Sequence, residues 1–249
     1  MIIRKSPSEI EIMREAGRVT ARTLRLVGEA VRPGVSTAEL DEVAEAVISE
    51  EGAQPAFKGY HGFPATICAS LNSEVVHGIP TRRRRLREGD VLSVDVGAIV
   101  DGYYGDSAMT FAVGKISDET RRLLDVTAEC LVAAIAKCFE DMRLSDISHA
   151  VQTVAEGAGF SVVREYVGHG IGREMHEEPQ IPNFGPAGKG PALKPGMVFA
   201  IEPMINAGGH AVRSLEDGWT VVTQDGSISA HFEHTVAIRE NGPTILTVE

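Results

Sequence analysis

The segment Leu86-Arg-Glu-Gly-Asp-Val-Leu-Ser-Val-Asp95 returns as Leu193-Lys-Pro-Gly-Met-Val-Phe-Ala-Ile-Glu202, an offset of 107 between Asp95 and Glu202. The same offset carries Leu40, Val47 and Gly52 onto Ile147, Val154 and Gly159. A match that spans both a helical and a strand pattern reads as a duplicated supersecondary unit. Each copy would run helix, helix, strands, over approximately residues 6–113 and 117–240. The expected fold is therefore α+β: one domain over residues 1–249, with two pseudo-twofold-related halves around a central antiparallel sheet. The length of 249 residues suits that reading and leaves no room for a separate N-terminal recognition domain.

Local signals fill in the elements. Ser6-Pro7-Ser8-Glu9 is a capping box with proline at the first helical position, and Ile10, Met13, Gly17, Thr20, Leu24, Val27 and Val31 follow at helical spacing up to Arg32-Pro33-Gly34. Ser36-Thr37-Ala38-Glu39 caps a second helix with the stripe Leu40, Val43, Val47 and Ile48, and a third runs from Ser117 to about Lys137. β-Branched runs at 65–69, 91–96 and 103–113 read as strands. Asp101-Gly102 is a two-residue hairpin turn, so Val91–Val100 and Tyr103–Val113 should pair antiparallel with Asp95 facing Ala108. Ala230 to Ile238 reads as a last long strand, and Gly168-His169-Gly170-Ile171-Gly172 as a loop too rich in glycine for a core strand.

Both repeats end an apolar strand on a carboxylate, Asp95 and Glu202, and a charge there must be paired or coordinate a metal. Asp106 lies on the same face of the hairpin as Asp95, Glu233 sits among apolar residues in the closing strand, and the glycines around His169 let an imidazole approach closely. Four carboxylates and one histidine supply enough ligands for two divalent metals, of the class of manganese, iron(II), cobalt or zinc. A single buried acid reads more simply as a salt bridge or strand-end cap; five converging groups do not. Composition narrows the rest. A net charge of −11 argues against a nucleic-acid binder, and three cysteines with no C-x-x-C pair argue against a disulfide scaffold or a structural zinc site. No apolar run approaches a membrane span, and Met1-Ile-Ile-Arg-Lys-Ser enters a helix signal without a signal-peptide core, so the cytoplasm is the expected compartment.

Over its whole length the chain resembles the type I methionine aminopeptidases of the bacterial minimal form. The resemblance is most specific at Asp95 with Asp106, Tyr166-Val-Gly-His-Gly-Ile-Gly-Arg-Glu-Met-His176, Phe199-Ala-Ile-Glu-Pro203 and Phe232-Glu-His234. It implies the pita-bread fold of creatinases and aminopeptidases, with Asp95, Asp106, His169, Glu202 and Glu233 as metal ligands and Asp106 and Glu233 bridging. It also implies removal of an N-terminal methionine from peptides and nascent proteins whose second residue is small, by a hydroxide held between the metals. Glu202 would shuttle the proton, His176 would donate to the oxyanion, and His77 would contact the scissile amide. The implied methionine pocket is walled by Phe57, Tyr60, Phe63, Cys68, Met175 and Trp219, with His61, His77 and His176 beside it. Two residues depart from the family, in which a cysteine is common at Phe57 and an aromatic at Met175. Asn72 and Ser229 would contribute to a monovalent-cation site. No long insert separates His176 from Glu233, which sets the chain apart from the type II subfamily, and no zinc-finger extension precedes Ser6.

Three other readings compete. Proline-specific aminopeptidases and dipeptidases share this metal set but usually carry a large N-terminal domain. A binding protein that lost its metals would not keep five ligands. A ribosome or nucleic-acid adaptor would use Arg82 to Arg85 with Arg87, which read as a solvated loop, with transient docking near nascent chains as the functional alternative. A monomer without membrane contact or a stable nucleic-acid complex is expected.

Overall fold

A computed structural model describes residues 1–249. The first helix, α1, spans Pro7–Ala30: the Ser6 hydroxyl accepts the Glu9 N–H while the Ser6 N–H donates to the Glu9 carboxylate at 2.8 Å. Its buried stripe is the expected one, with Ile10, Met13, Gly17, Thr20, Leu24 and Val27 inside and Val31 just past the end. A second capping box, Ser36 with Glu39, starts α2 at Thr37–Glu50. Val43, expected in its stripe, is only half-buried; Ala44 takes the core position beside Leu40. Ser117 caps α3, Asp118–Ile135, and α4 follows at Leu144–Gly157, where the Arg143 N–H donates to the Asp146 carboxylate at 2.7 Å.

The repeat offset is visible in the backbone. Gly52 and Gly159, which follow α2 and α4, both take left-handed φ, at 71° and 84°, and so do Gly89 and Gly196 before the carboxylate strands, at 91° and 93°. A side chain would strain each of these turns.

The hairpin forms in the expected register, Val91–Val100 against Tyr103–Ala112, with Asp95 opposite Ala108 and Asp106 opposite Gly97. The outer edge of Val91–Val100 takes Ile67–Leu71 and, further along, Gln54–Pro55, giving a four-stranded sheet. The second half builds a five-stranded antiparallel sheet in the order Gly242–Ile245, His234–Arg239, Val198–Ile201, Gly168–Gly170 and Glu177–Ile181. Two three-stranded sheets complete the fold, from short strands that carry too few alternations to be read from sequence. Helix α1 lies on the hairpin so closely that a Cβ at Gly105 would meet the Gly17 backbone at 2.6 Å.

Two expectations need correction. The glycine-rich segment is a buried strand, not a loop: Gly168–Gly170 pairs on both edges. Its glycines serve close approach, since a Cβ at Gly168 would lie 2.5 Å from the Ala200 carbonyl and one at Gly170 2.3 Å from that of Glu178. The segment 230–238 is not one strand but two, Ser229–His231 and His234–Arg239, in different sheets and broken at Phe232-Glu233. The break is where the two halves are joined. Glu233 N–H donates to Ala108 O at 2.9 Å, Asp106 N–H donates to the Thr235 hydroxyl at 3.0 Å, and Ser107 Oγ donates to Glu233 O at 2.7 Å. Side-chain hydroxyls thus replace a regular ladder at the seam, which satisfies buried backbone groups while bending the chain. No helix is long and apolar enough to cross a membrane.

Candidate metal centre and substrate pocket

Each acid of the predicted set reaches the seam from a different element. Asp95, expected to end its strand, instead comes from the middle of Val91–Val100 because the hairpin pairing continues to Val100; Asp106 comes from the strand across the hairpin, Glu202 follows Val198–Ile201 as expected, and Glu233 occupies the break between strands. His169 enters from the central strand of the second half, paired with Ala200. Asp106, His169 and Glu233 are 5%, 6% and 2% exposed, and their ligand atoms lie within 4.8 Å of one another. His169 Nε2 is 3.5 Å from Glu202 Oε1 and 3.9 Å from Asp106 Oδ2. Its other nitrogen, Nδ1, stands 2.9 Å from the Gly170 carbonyl. A carbonyl only accepts, so the proton sits on Nδ1 and the lone pair of Nε2 faces the carboxylates, the tautomer a metal ligand needs.

The electrostatics favour a cation among these acids. Burial raises Asp95 and Glu233, as do their charged neighbours, and burial and Asp106 raise Glu202; burial also raises Asp106. Burial and the neighbouring His176 lower His169 to about 3, so it stays neutral and cannot neutralise the acids. Asp95 Oδ1, Asp106 Oδ1 and Glu233 Oε1 are buried without a hydrogen-bond partner. Orphaned acceptors in a cluster of like charges are costly unless protons or divalent cations are shared among them. The donor set therefore fits divalent metal, which Asp95, Asp106, His169, Glu202 and Glu233 could hold.

These acids and His169 form the floor of a cavity of about 380 Å³. Its lining is fourteen residues: the five above together with Phe57, Tyr60, His61, Phe63, Cys68, His77, Met175, His176 and Trp219. Every residue expected as a metal ligand, a catalytic group or a wall of the methionine pocket thus lines this one cavity, while Asn72 and Ser229 lie outside it. Phe63 and Trp219 meet edge to face at 5.1 Å, Met175 is 2% exposed against them, and Cys68 pairs directly with Asp95. Burial raises the Cys68 thiol well above its ordinary value, so it acts as an apolar wall. Tyr60 Oη and His176 Nδ1 are 2.7 Å apart. Burial also raises the Tyr60 hydroxyl, which keeps its proton; with that proton directed at Nδ1, His176 carries its N–H at Nε2. His77, at φ 60°, is neutral because burial lowers it to about 4.

Sequence reasoning missed His231. It is 1% exposed, and its Nε2 has no hydrogen-bond partner and lies 3.8 Å from Glu202 Oε2. Its signal was spacing, two residues before Glu233. The arginine run is exposed, as a solvated loop would be, at Arg82, Arg83, Arg85 and Arg87, with Arg82 paired to Glu42 and Arg85 to Glu39; Arg84 is the exception, half-buried, paired with Glu74 and donating to Ala69 O at 2.9 Å. Asn72 and Ser229 do meet, the Ser229 N–H donating to Asn72 O at 2.9 Å.

A neutral histidine and a cage of acids at the bottom of an apolar pocket define the class as a metal-dependent hydrolase. The sequence model of metallopeptidase family M24 matches residues 11–240. The chain belongs to that family. It is similar to the methionine aminopeptidase of Clostridium acetobutylicum, 54% identical over 100% of this chain and 99% of that protein. It is also similar to methionine aminopeptidase 1 of Bacillus subtilis, 57% identical over 99% of each. The crystal structure of the methionine aminopeptidase from Thermotoga maritima superposes with a TM-score of 0.99 at 48% identity, covering 100% of both chains. The prolidase from Pyrococcus furiosus shares the fold alone, at TM-score 0.78 and 24% identity, with 66% of its length covered. The fold is thus the pita-bread arrangement of these enzymes.

Proposed function

We propose that this chain is a methionyl aminopeptidase that removes N-terminal methionine from peptides and nascent proteins whose second residue is small. The observation that carries the reading is the junction of an apolar, sulfur- and aromatic-walled cavity of about 380 Å³ with the acid cage at its floor. A methionine side chain is long, flexible and apolar, and Phe57, Phe63, Met175 and Trp219 present such a slot. Two divalent ions, of cobalt, manganese, iron(II) or zinc, would be held by Asp95, Asp106, His169, Glu202 and Glu233. Bound there, divalent metal supplies Lewis acidity that acidifies water and polarises a carbonyl.

The remaining steps belong to side chains. Glu202, beside His169 and open to the pocket, takes the proton from the attacking water and passes it to the leaving amine. His176 directs its Nε2–H to the oxyanion, its tautomer set by the Tyr60 hydroxyl. Neutral His77, also lining the pocket, contacts the scissile amide. These two imidazoles crowd the residue after methionine, so a branched side chain there misplaces the carbonyl. An error near 1 Å costs on the order of 100-fold.

The whole chain acts as one catalytic domain with two related halves, working as a monomer in the cytoplasm. Asn72 and Ser229 would add a monovalent cation behind the pocket. Ribosome contact through Arg82–Arg87 would be transient, since three of these guanidiniums already face glutamates. The test is a peptide panel with metal supplied: Met-Ala-Ser should be cleaved on the order of 100-fold faster than Met-Ile-Ser. Xaa-Pro peptides should be inert; their preferential cleavage would assign the chain to the proline-specific branch of its fold.

A further inference from the structure

Lys5 lies outside the pocket and takes no part in the reaction above, yet it is the only lysine or arginine among the buried residues. Its ammonium is 2.5 Å from Glu177 Oε2, with side-chain exposures of 4% and 7%, and its backbone N–H donates to Gly196 O at 2.6 Å. The other carboxylate oxygen, Glu177 Oε1, accepts the backbone N–H groups of Arg173 at 2.9 Å and Glu174 at 3.5 Å. One carboxylate therefore closes the turn Gly172–His176 with one oxygen and ties it to the segment before α1 with the other. The fit leaves no slack, because a Cβ at Gly172 would lie 2.4 Å from both Glu177 Oε1 and Lys5 Cε.

That turn carries Met175, a wall of the pocket, and His176, whose ring centroid is 4.3 Å from that of His169. Burying an ion pair is costly, and well-packed apolar residues often serve stability as well, so its presence calls for a geometric reason. A catalytic donor on a turn has to be held to a fraction of an ångström, and a doubly anchored carboxylate does so.

We propose that Lys5 is a positioning residue for the reaction: through Glu177 it holds His176 and Met175 at the pocket, so that the segment preceding α1 sets the geometry of the site. This rests on the role given to His176 above. The test is a double-mutant cycle on Met-Ala-Ser with the metal-loaded protein. Lys5→Met should lower kcat on the order of tenfold in the wild-type background, and less than about threefold in a His176→Ala background, where there is no donor left to misplace. Lys5→Arg should recover most of the loss. The double substitution Lys5→Met with Glu177→Met removes the buried charges together, and should melt near the wild type while showing the same background-dependent loss.

Amide exchange gives a readout independent of turnover. Exchange over residues 172–177 should accelerate on the order of tenfold in Lys5→Met while the hairpin 91–112 stays protected. Equal losses of kcat in both backgrounds would overturn the inference by showing that the pair serves stability alone, and so would unchanged exchange at 172–177. Failure of the wild type to cleave Met-Ala-Ser would instead overturn the functional reading, and the exchange experiment would still decide whether Lys5 fixes the turn.

Discussion

The proposed function gives Glu202 two duties that a single substitution separates. As a ligand it needs only an oxygen lone pair; as a shuttle it needs to hold and release a proton. Glu202→Gln keeps the first in weakened form and loses the second, so the protein should remain folded and bind metal, with turnover reduced on the order of 100-fold or more. Near-native turnover at full metal loading would remove Glu202 from the chemistry. His77→Ala and His176→Ala should leave metal content intact and lower kcat on the order of 10²-fold, because the proposed function has them contact the reacting amide and not the cation. Unchanged kinetics in either variant would return that imidazole to a structural role. At this scale the site was legible because carboxylates among apolar residues are rare enough to announce themselves. His231 was not: a histidine in an apolar strand carries the same local signal whether it fills space or faces a catalytic acid, and only its 3.8 Å approach to Glu202 distinguishes the two.

Among the elements, α1 shows how far a local signal can be trusted. Its capping box, proline and stripe were all readable, and they hold the helix whose close contact with Gly105 supports the hairpin of Asp95 and Asp106. The box also adds a pH-dependent contribution. The Tyr103 hydroxyl, followed by the Ser6 backbone, lowers Glu9 from 4.5 to about 2. Its carboxylate thus adds stability that is present above pH 4.5 and lost as pH falls through about 2. Glu9→Gln keeps the hydrogen-bonding shape, so it should cost under about 1 kcal/mol at neutral pH once solvent screening is counted. Denaturant midpoints of variant and wild type should converge as pH drops below 4.5; a gap that stays constant would show that charge plays no part. The glycine strand escaped the sequence reading because glycine weakens a strand on local grounds, whereas here neighbouring backbones demand it at Gly168 and Gly170. The break at Phe232-Glu233 escaped it for a related reason: the alternation on either side is continuous, and the bend is imposed by bonds to Ala108 and Ser107 in the other half.

For the molecule as a whole, the site exists only because two halves meet. Asp95 and Asp106 arrive from one half and His169, Glu202 and Glu233 from the other, so no single element could bind metal alone. The 107-residue offset made this arrangement legible, since it matched Asp95 to Glu202 before any contact was known, although Asp95 lies in mid-strand and only Glu202 just past a strand end. It could not specify the seam, which depends on the hydroxyls of Ser107 and Thr235. The charge repulsion stored at that seam explains why metal should matter to the fold as well as to the chemistry: chelation should lower Tm, and restored metal should raise it by mass action. The measurement that bears most directly on the account is methionine release from Met-Ala-Ser as divalent metal is titrated into chelator-stripped protein, with bound metal counted on the same samples. The account predicts no turnover without metal and a rise that saturates as the acid cage fills. Full turnover in samples shown to hold no metal would contradict it.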